Sequence, residues 1–189
     1  MGSLYERRQN AYAELRETYK GVIGILSHFI ARDSYTKNHS YRVSRYAQKI
    51  AETMKMDLSQ IEDIRLAGLL HDLGKLKVSA EVIHKAMKLT DDEFSSVKEH
   101  PQQGVAMISA FGGPLKRIIP LILYHHEWYD GHGYPDGLSG EAIPLGARIL
   151  AVADVYDALL SHRPYRPALG IDKALKEIEE NKGRLYDPA

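Results

Sequence analysis

Five histidines and two aspartates of this 189-residue chain fall at positions where a helix buries its apolar side. That placement limits the possible folds more than any other feature. His39 stands four residues before Val43, and Val43, Ala47, Ile50 and Met54 continue one stripe at helical spacing. His71 ends the stripe Ile61, Ile64, Gly68 and is followed at once by Asp72. His100 lies three residues after Val97 and four before Gly104, while the doublet His125-His126 closes a segment carrying Ile118, Ile119, Leu121 and Ile122. Asp154 lies among Ala147, Leu150, Ala151 and Ala158. One inward histidine needs only a hydrogen bond within the core. Seven inward ionisable groups need a common partner, because each unpaired buried charge costs several kcal/mol.

A shared metal centre supplies that partner. Histidine with carboxylate and no sulfur suits Fe, Mn, Zn or Ni and does not choose among them. Seven ligands are too many for one tetrahedral ion, so two divalent ions bridged by one carboxylate are expected, with water in the open positions. Two such ions carry about four positive charges, of which Asp72, Asp154 and a bridging hydroxide cancel about three. The remaining positive charge attracts a phosphodiester. Metal coordination also yields hydroxide near neutral pH, the nucleophile that attack on phosphorus requires.

The rest of the chain reads as all-α. Ala11, Leu15, Thr18, Val22, Ile25 and Phe29 form a heptad-like stripe on an expected first helix over about Leu4–Ala31. This segment, within residues 1–32, is read either as a helix lying on the core or as a linker or signalling helix. In the second role it joins an upstream sensor or receiver domain, or pairs in a homodimer. Further helices are expected over about Asn38–Met56, Leu58–His71, Asp91–Phe111 (interrupted near Pro101), Pro114–His125, Leu145–Ser161 and Ile171–Asn181, with a Gly/Pro-rich loop from Glu127 to Pro144. Residues 33–189 make the main domain, and Asp187-Pro188 looks like the start of a further helix, so a trimmed C-terminus is expected.

Composition narrows the class. Twenty-five Lys and Arg balance twenty-five Asp and Glu, so no basic field argues for a nucleic-acid polymer as partner. The longest mostly apolar stretch, Val22 to Ala31, is too short to span a bilayer. The absence of cysteine excludes a disulfide scaffold and a thiolate metal site, and fits a reducing cytoplasm.

His39, His71-Asp72 and Asp154 together resemble the H…HD…D signature of the HD phosphohydrolase superfamily. The run His125-His126-Glu127-Trp128-Tyr129-Asp130-Gly131-His132-Gly133-Tyr134-Pro135 is similar to the HHExxDGxGYP motif of its HD-GYP subfamily. His71-Asp72-Leu73-Gly74-Lys75 matches the subfamily's HDxGK element and His100-Pro101 its HP element, so the resemblance covers about Ser34 to Pro188. It implies a helical HD-domain bundle with the GYP loop over a dinuclear site, and a bacterial signalling phosphodiesterase. Such enzymes hydrolyse cyclic di-GMP to pGpG, and many continue to GMP. The implied first ion takes His39, His71, Asp72 and Asp154. The implied second takes Asp72 as bridge with His100, His125 and His126. Among candidate metals Fe or Mn is favoured, with Zn or Ni also compatible. Three-metal members carry a carboxylate four residues before the first histidine; here that position is Tyr35, so two ions are expected.

The same resemblance assigns substrate contacts. Asp72 and Lys75 are expected to be catalytic, Lys75 by reaching a phosphate oxygen; otherwise Lys75 serves the helix dipole. Tyr134 is expected to stack on guanine, and also to shape its turn. Arg163 and Arg166, held by the spacing of Pro164 and Pro167, are expected to clamp phosphate. Asp157 is read as orienting Lys75 or a water, or equally as a salt-bridge partner. Glu127 is expected to support the histidine doublet, Asp130 to stabilise the glycine loop and Arg148 to be structural. His28, His84, His132 and His162 match no ligand element. Two rivals stand: an HD hydrolase for another nucleotide, and a cyclic di-GMP sensor or scaffold without significant turnover.

Overall fold

A computed structural model describes residues 34–83, 85, 87–110, 113–162 and 167–189, with the side chains of 34–37, 113 and 114 left out. The expected N-terminal helix, Tyr35's side chain, His28, His84, Arg163 and Arg166 lie outside these residues.

The described elements are helical, with no strand among them. They are α1 (Ser34–Thr53), α2 (Leu58–Leu70), a 3-10 turn (Leu73–Lys77), α3 (Ala80–Ile83), α4 (Asp91–Lys98), α5 (His100–Ser109), a second 3-10 turn (Gly113–Ile118), α6 (Ile119–Leu123), a third (Gly140–Ala142), α7 (Leu145–Leu160) and α8 (Ile171–Glu180). The all-α expectation holds. The long pattern over Asp91–Phe111 divides at Glu99 into α4 and α5, with Pro101 in the first turn of α5, where its missing N–H costs nothing. Over Pro114–His125 the expected single helix is a 3-10 turn followed by the short α6, which carries Pro120 in its first turn.

The α1 stripe runs Val43, Ala47, Ala51, all fully buried, and not through Met54, which is 47% exposed. Small residues let α1 lie close to its neighbours. A Cβ on Gly68 of α2 would stand 2.7 Å from the Cα of Ser44, so only glycine permits this α1–α2 distance. Tyr46 of α1 meets Tyr156 of α7 edge-to-face, ring centroids 5.1 Å apart. Around these contacts Ile64, Leu70, Leu73, Ile118, Ile122 and Leu150 close the core.

The turn after Asp72 is held just as tightly. A Cβ on Gly74 would stand 1.8 Å from the His100 carbonyl oxygen and 2.6 Å from the Gly104 nitrogen. Bare glycine here brings Asp72 and His100 together. At the other end of the chain Tyr129 and Asp130 donate backbone hydrogen bonds to Leu185 and Arg184. Arg148 pairs with Asp187 and the Ile143 carbonyl, the structural role expected of it.

Candidate metal centre

Each histidine reaches the centre from a helix or its end. His71 follows the last turn of α2, His100 opens α5 directly after α4, and His125 and His126 follow α6. Helix ends leave carbonyls without an intrahelical donor, and three of these histidines use them. Nδ1–H donates to the carbonyl three residues back: His71 to Gly68 at 2.8 Å, His100 to Val97 at 2.7 Å and His125 to Ile122 at 2.6 Å. A carbonyl only accepts, so in each ring Nδ1 carries the hydrogen and Nε2 presents its lone pair.

Those lone pairs converge. The Nε2 atoms of His71, His100 and His125, and Oδ1 of Asp72, are buried with no hydrogen-bond partner in the protein. Each such orphan costs about 1–3 kcal/mol, and four side by side form a cluster that protein alone leaves unsatisfied. The donor set, imidazole nitrogen with carboxylate oxygen, fits a divalent transition metal. Within 4.8 Å of one another lie ligand atoms of three groups: His39, His71 and Asp154; His71, Asp72 and His125; and His100, His125 and His126.

Asp72 lies between the outer two groups. Its Oδ2 is 3.5 Å from His71 Nε2 and 3.8 Å from His39 Nε2, and its Oδ1 is 3.5 Å from His100 Nε2. One carboxylate thus faces two nitrogen groups with opposite oxygens. His39 Nε2 also lies 3.2 Å from Asp154 Oδ1. The seven residues singled out in the sequence therefore meet. Only His126 and Asp154 are not fully buried, so they border the open side of the cluster. Beside them a cavity of about 220 Å³ is lined by His125, His126, Trp128, Asp154, Val155 and Tyr186.

The electrostatics favour neutral imidazoles in one half. Burial, aided by Lys75, pushes His100 down to about 3, and burial pushes His126 down to about 4 and His125 well below its ordinary value. The other half is acidic. Burial raises the Asp72 carboxyl, but His71, Lys75, His100 and His39 together hold it well below the carboxylate range. Burial likewise opposes ionisation of Asp154, and the hydrogen bond to His39 with the nearby imidazoles reverses that. At His39 burial is outweighed by the carboxylates of Asp154 and Asp157, and its pKa rises to about 9.

Other expected roles resolve differently. Lys75 sits in the 3-10 turn, three residues from Asp72, and its Nζ donates to Asp72 Oδ2 at 2.7 Å. Asp157 does not orient Lys75: it accepts from His39 Nδ1 at 2.7 Å and from Arg42 at 2.5 and 2.9 Å, so the ion-pair reading applies. Glu127 supports the loop rather than the imidazoles, its Oε1 accepting from the backbone of Asp136 and Gly137. Asp130 accepts from the His132 backbone within the glycine loop, as expected. Tyr134 stacks on His126, ring centroids 4.9 Å apart and planes at 28°. Lys98 Nζ lies over the Tyr134 ring, 5.6 Å from its centroid. The sequence offered one cue to the His39–Asp157 bond: Asp157 shares a helix face with Asp154, one turn on.

Comparison with known proteins gives the chain's family and fold. The sequence profile of the HD domain matches residues 25–189. The chain is 43% identical over 188 residues to the cyclic di-GMP phosphodiesterase response regulator RpfG of Xanthomonas campestris, covering 98% of this chain and 50% of that protein. It is 37% identical to a cyclic di-GMP phosphodiesterase of Thermotoga maritima, covering 88% of this chain and 45% of that one. The chain thus spans about half the length of these curated relatives. A crystal structure of a cyclic GMP-AMP specific phosphodiesterase of Vibrio cholerae superposes with a TM-score of 0.61 at 20% identity, over 79% of this chain and 41% of that one. On the profile match and this identity, the chain belongs to the HD domain family.

Proposed function

We propose that this chain is a metal-dependent phosphodiesterase that hydrolyses cyclic di-GMP to pGpG. The observation that carries it is Asp72, whose two oxygens face separate imidazole groups with unpartnered Nε2 atoms. The names of the relatives supply the substrate class. In this reading His39, His71, Asp72 and Asp154 hold one divalent ion, and Asp72, His100, His125 and His126 hold a second, with Fe or Mn the favoured metal. When bound, the ions supply Lewis acidity toward a phosphoryl oxygen and lower the pKa of water near the phosphorus.

The chain's own residues then do the positioning. Lys75, 32% exposed and beside Asp72, offers its ammonium to a phosphate oxygen at the edge of the cluster. Tyr134 holds one face of His126 by stacking and leaves its rim to a guanine. Arg163 and Arg166, which follow α7, provide bidentate phosphate contacts. His39, His71, His100 and His125 are buried, which limits access of bulk water to their ring nitrogens. Residues 1–32 connect this unit to an input domain, in keeping with the response-regulator name of the relative from Xanthomonas, and provide a surface for homodimerisation. Among the described residues no helix is long and apolar enough to cross a membrane.

The test is turnover after metal loading. Protein reconstituted with Mn²⁺, or with Fe²⁺ under anaerobic conditions, is incubated with cyclic di-GMP and with 3′3′-cGAMP, alongside Asp72→Ala. The proposal expects pGpG from cyclic di-GMP, lost in the variant. Stoichiometric binding without product from loaded protein would replace the enzyme by a sensor. Product from 3′3′-cGAMP alone would reassign the substrate.

A further inference from the structure

His39 differs from the other cluster histidines in what orients it. His71, His100 and His125 each donate Nδ1–H to the carbonyl three residues back, at helix ends where carbonyls lose their i+4 backbone donors. His39 lies inside α1, where carbonyls are committed to the helical ladder. Its Nδ1 instead meets a charged side chain from another helix, Asp157 Oδ2 of α7, at 2.7 Å. Asp157 is only 1% exposed and is fixed in turn by Arg42, with Nε on Oδ1 at 2.5 Å and Nη2 on Oδ2 at 2.9 Å. Arg42 Nη2 also donates to Ser161 Oγ at 3.1 Å, at the start of the loop after α7.

We infer that Asp157 is the positioning residue of His39: it fixes the ring with hydrogen on Nδ1 and aims Nε2 at Asp154 and Asp72, so that one ion of the pair depends on an α1–α7 hydrogen bond while the other does not. This rests on the two-ion reading above. A carboxylate acceptor also makes the imidazole a stronger donor to metal than a carbonyl does. The asymmetry is built into the fold, since a backbone carbonyl cannot be lost by substitution whereas Asp157 can. Asparagine in its place offers a neutral acceptor and, with its amide reversed, a donor that favours the wrong tautomer.

The experiment measures bound Mn²⁺ and Zn²⁺ per chain, by elemental analysis after gel filtration and by calorimetric titration. Wild type, Asp157→Asn and Arg42→Gln are compared, with folding checked by circular dichroism. Wild type is expected to hold two ions. Asp157→Asn should weaken one of them by about 10–100-fold and leave the other unchanged, while Arg42→Gln, which retains the acceptor, keeps both. Equal binding of both ions by wild type and a folded Asp157→Asn overturns the inference and leaves the two-ion reading intact. Loss of an ion from Arg42→Gln as large as that from Asp157→Asn also overturns it, because the helix–helix tie would then be the cause. Wild type without divalent ions sinks the underlying reading itself. Should Asp157→Asn not fold, the nitrogen NMR shifts of His39 in zinc-loaded wild type decide. Protonated Nδ1 with metallated Nε2 supports the assignment, and metallated Nδ1 overturns it.

Discussion

The two halves of the cluster solve the same problem by different means. One half, His100, His125 and His126, holds no carboxylate of its own, and burial keeps its rings neutral, with values of about 3 and 4 at His100 and His126. The other half, His39, His71 and Asp154, sits among Asp157, Arg42 and Lys75. There the carboxylates hold His39 protonated, up to about 9. Low polarity prepares the first half for metal. Ion pairs of His39 with Asp154 and Asp157 dominate the second.

The largest test of that contrast removes what the halves share. Asp72→Ala should empty both and lower turnover by about 10³-fold or more, since metal contributes several kcal/mol of transition-state stabilisation. Elemental analysis and product chromatography read both effects. His100→Ala separates the halves: one ion per chain is expected to remain, counted in the same assay. Gly74→Ala attacks the junction between them. Its Cβ would overlap the His100 carbonyl, so an expected loss of about 1–3 kcal/mol or more should appear as a lower thermal midpoint, together with weakened metal at the imidazole half.

The pH response of the metal-free protein sharpens the comparison, because the halves carry opposite signs. His39 has its pKa raised on folding, so its stabilisation is complete below about 6.5 and is lost as pH rises through about 9, on the order of 3 kcal/mol. His100 and His126 have theirs lowered. Below about 6.5 the unfolded chain takes up protons that the folded one refuses, so stability falls as the pH drops toward 4. Urea unfolding of chelator-treated protein at pH 5, 7 and 9 should therefore give a maximum near 7. A monotonic profile would contradict this division. The smallest effect is expected from Tyr134→Ala, which removes the stack on His126 at a cost of about 0.5–1.5 kcal/mol in unfolding experiments.

Much of this centre was legible in the sequence because helical spacing decides which residues face inward. His39 precedes Val43 by one turn, and Asp154 shares a helix with Leu150, so both were readable as core-facing before any fold was known. The break in Asp91–Phe111 followed from Pro101. Other features depend on contacts between distant segments. Spacing shows that Asp157 faces the same way as Asp154, but not that α1 passes opposite and brings His39 and Arg42 to it. The carbonyls behind His71, His100 and His125 became available only because helices end there, and the α4–α5 and α6 boundaries are local backbone events. The GYP pattern points to Tyr134 as a platform for guanine. Its stack on His126 depends on how the loop folds back, with Tyr134 N–H donating to the His126 carbonyl.

The most direct test of the account is anomalous diffraction from crystals of the Mn²⁺-loaded protein. The account predicts two peaks about 3.5–4 Å apart, one on each side of Asp72, with His39, His71 and Asp154 around one and His100, His125 and His126 around the other. A single peak, or a pair lying away from Asp72, would contradict it.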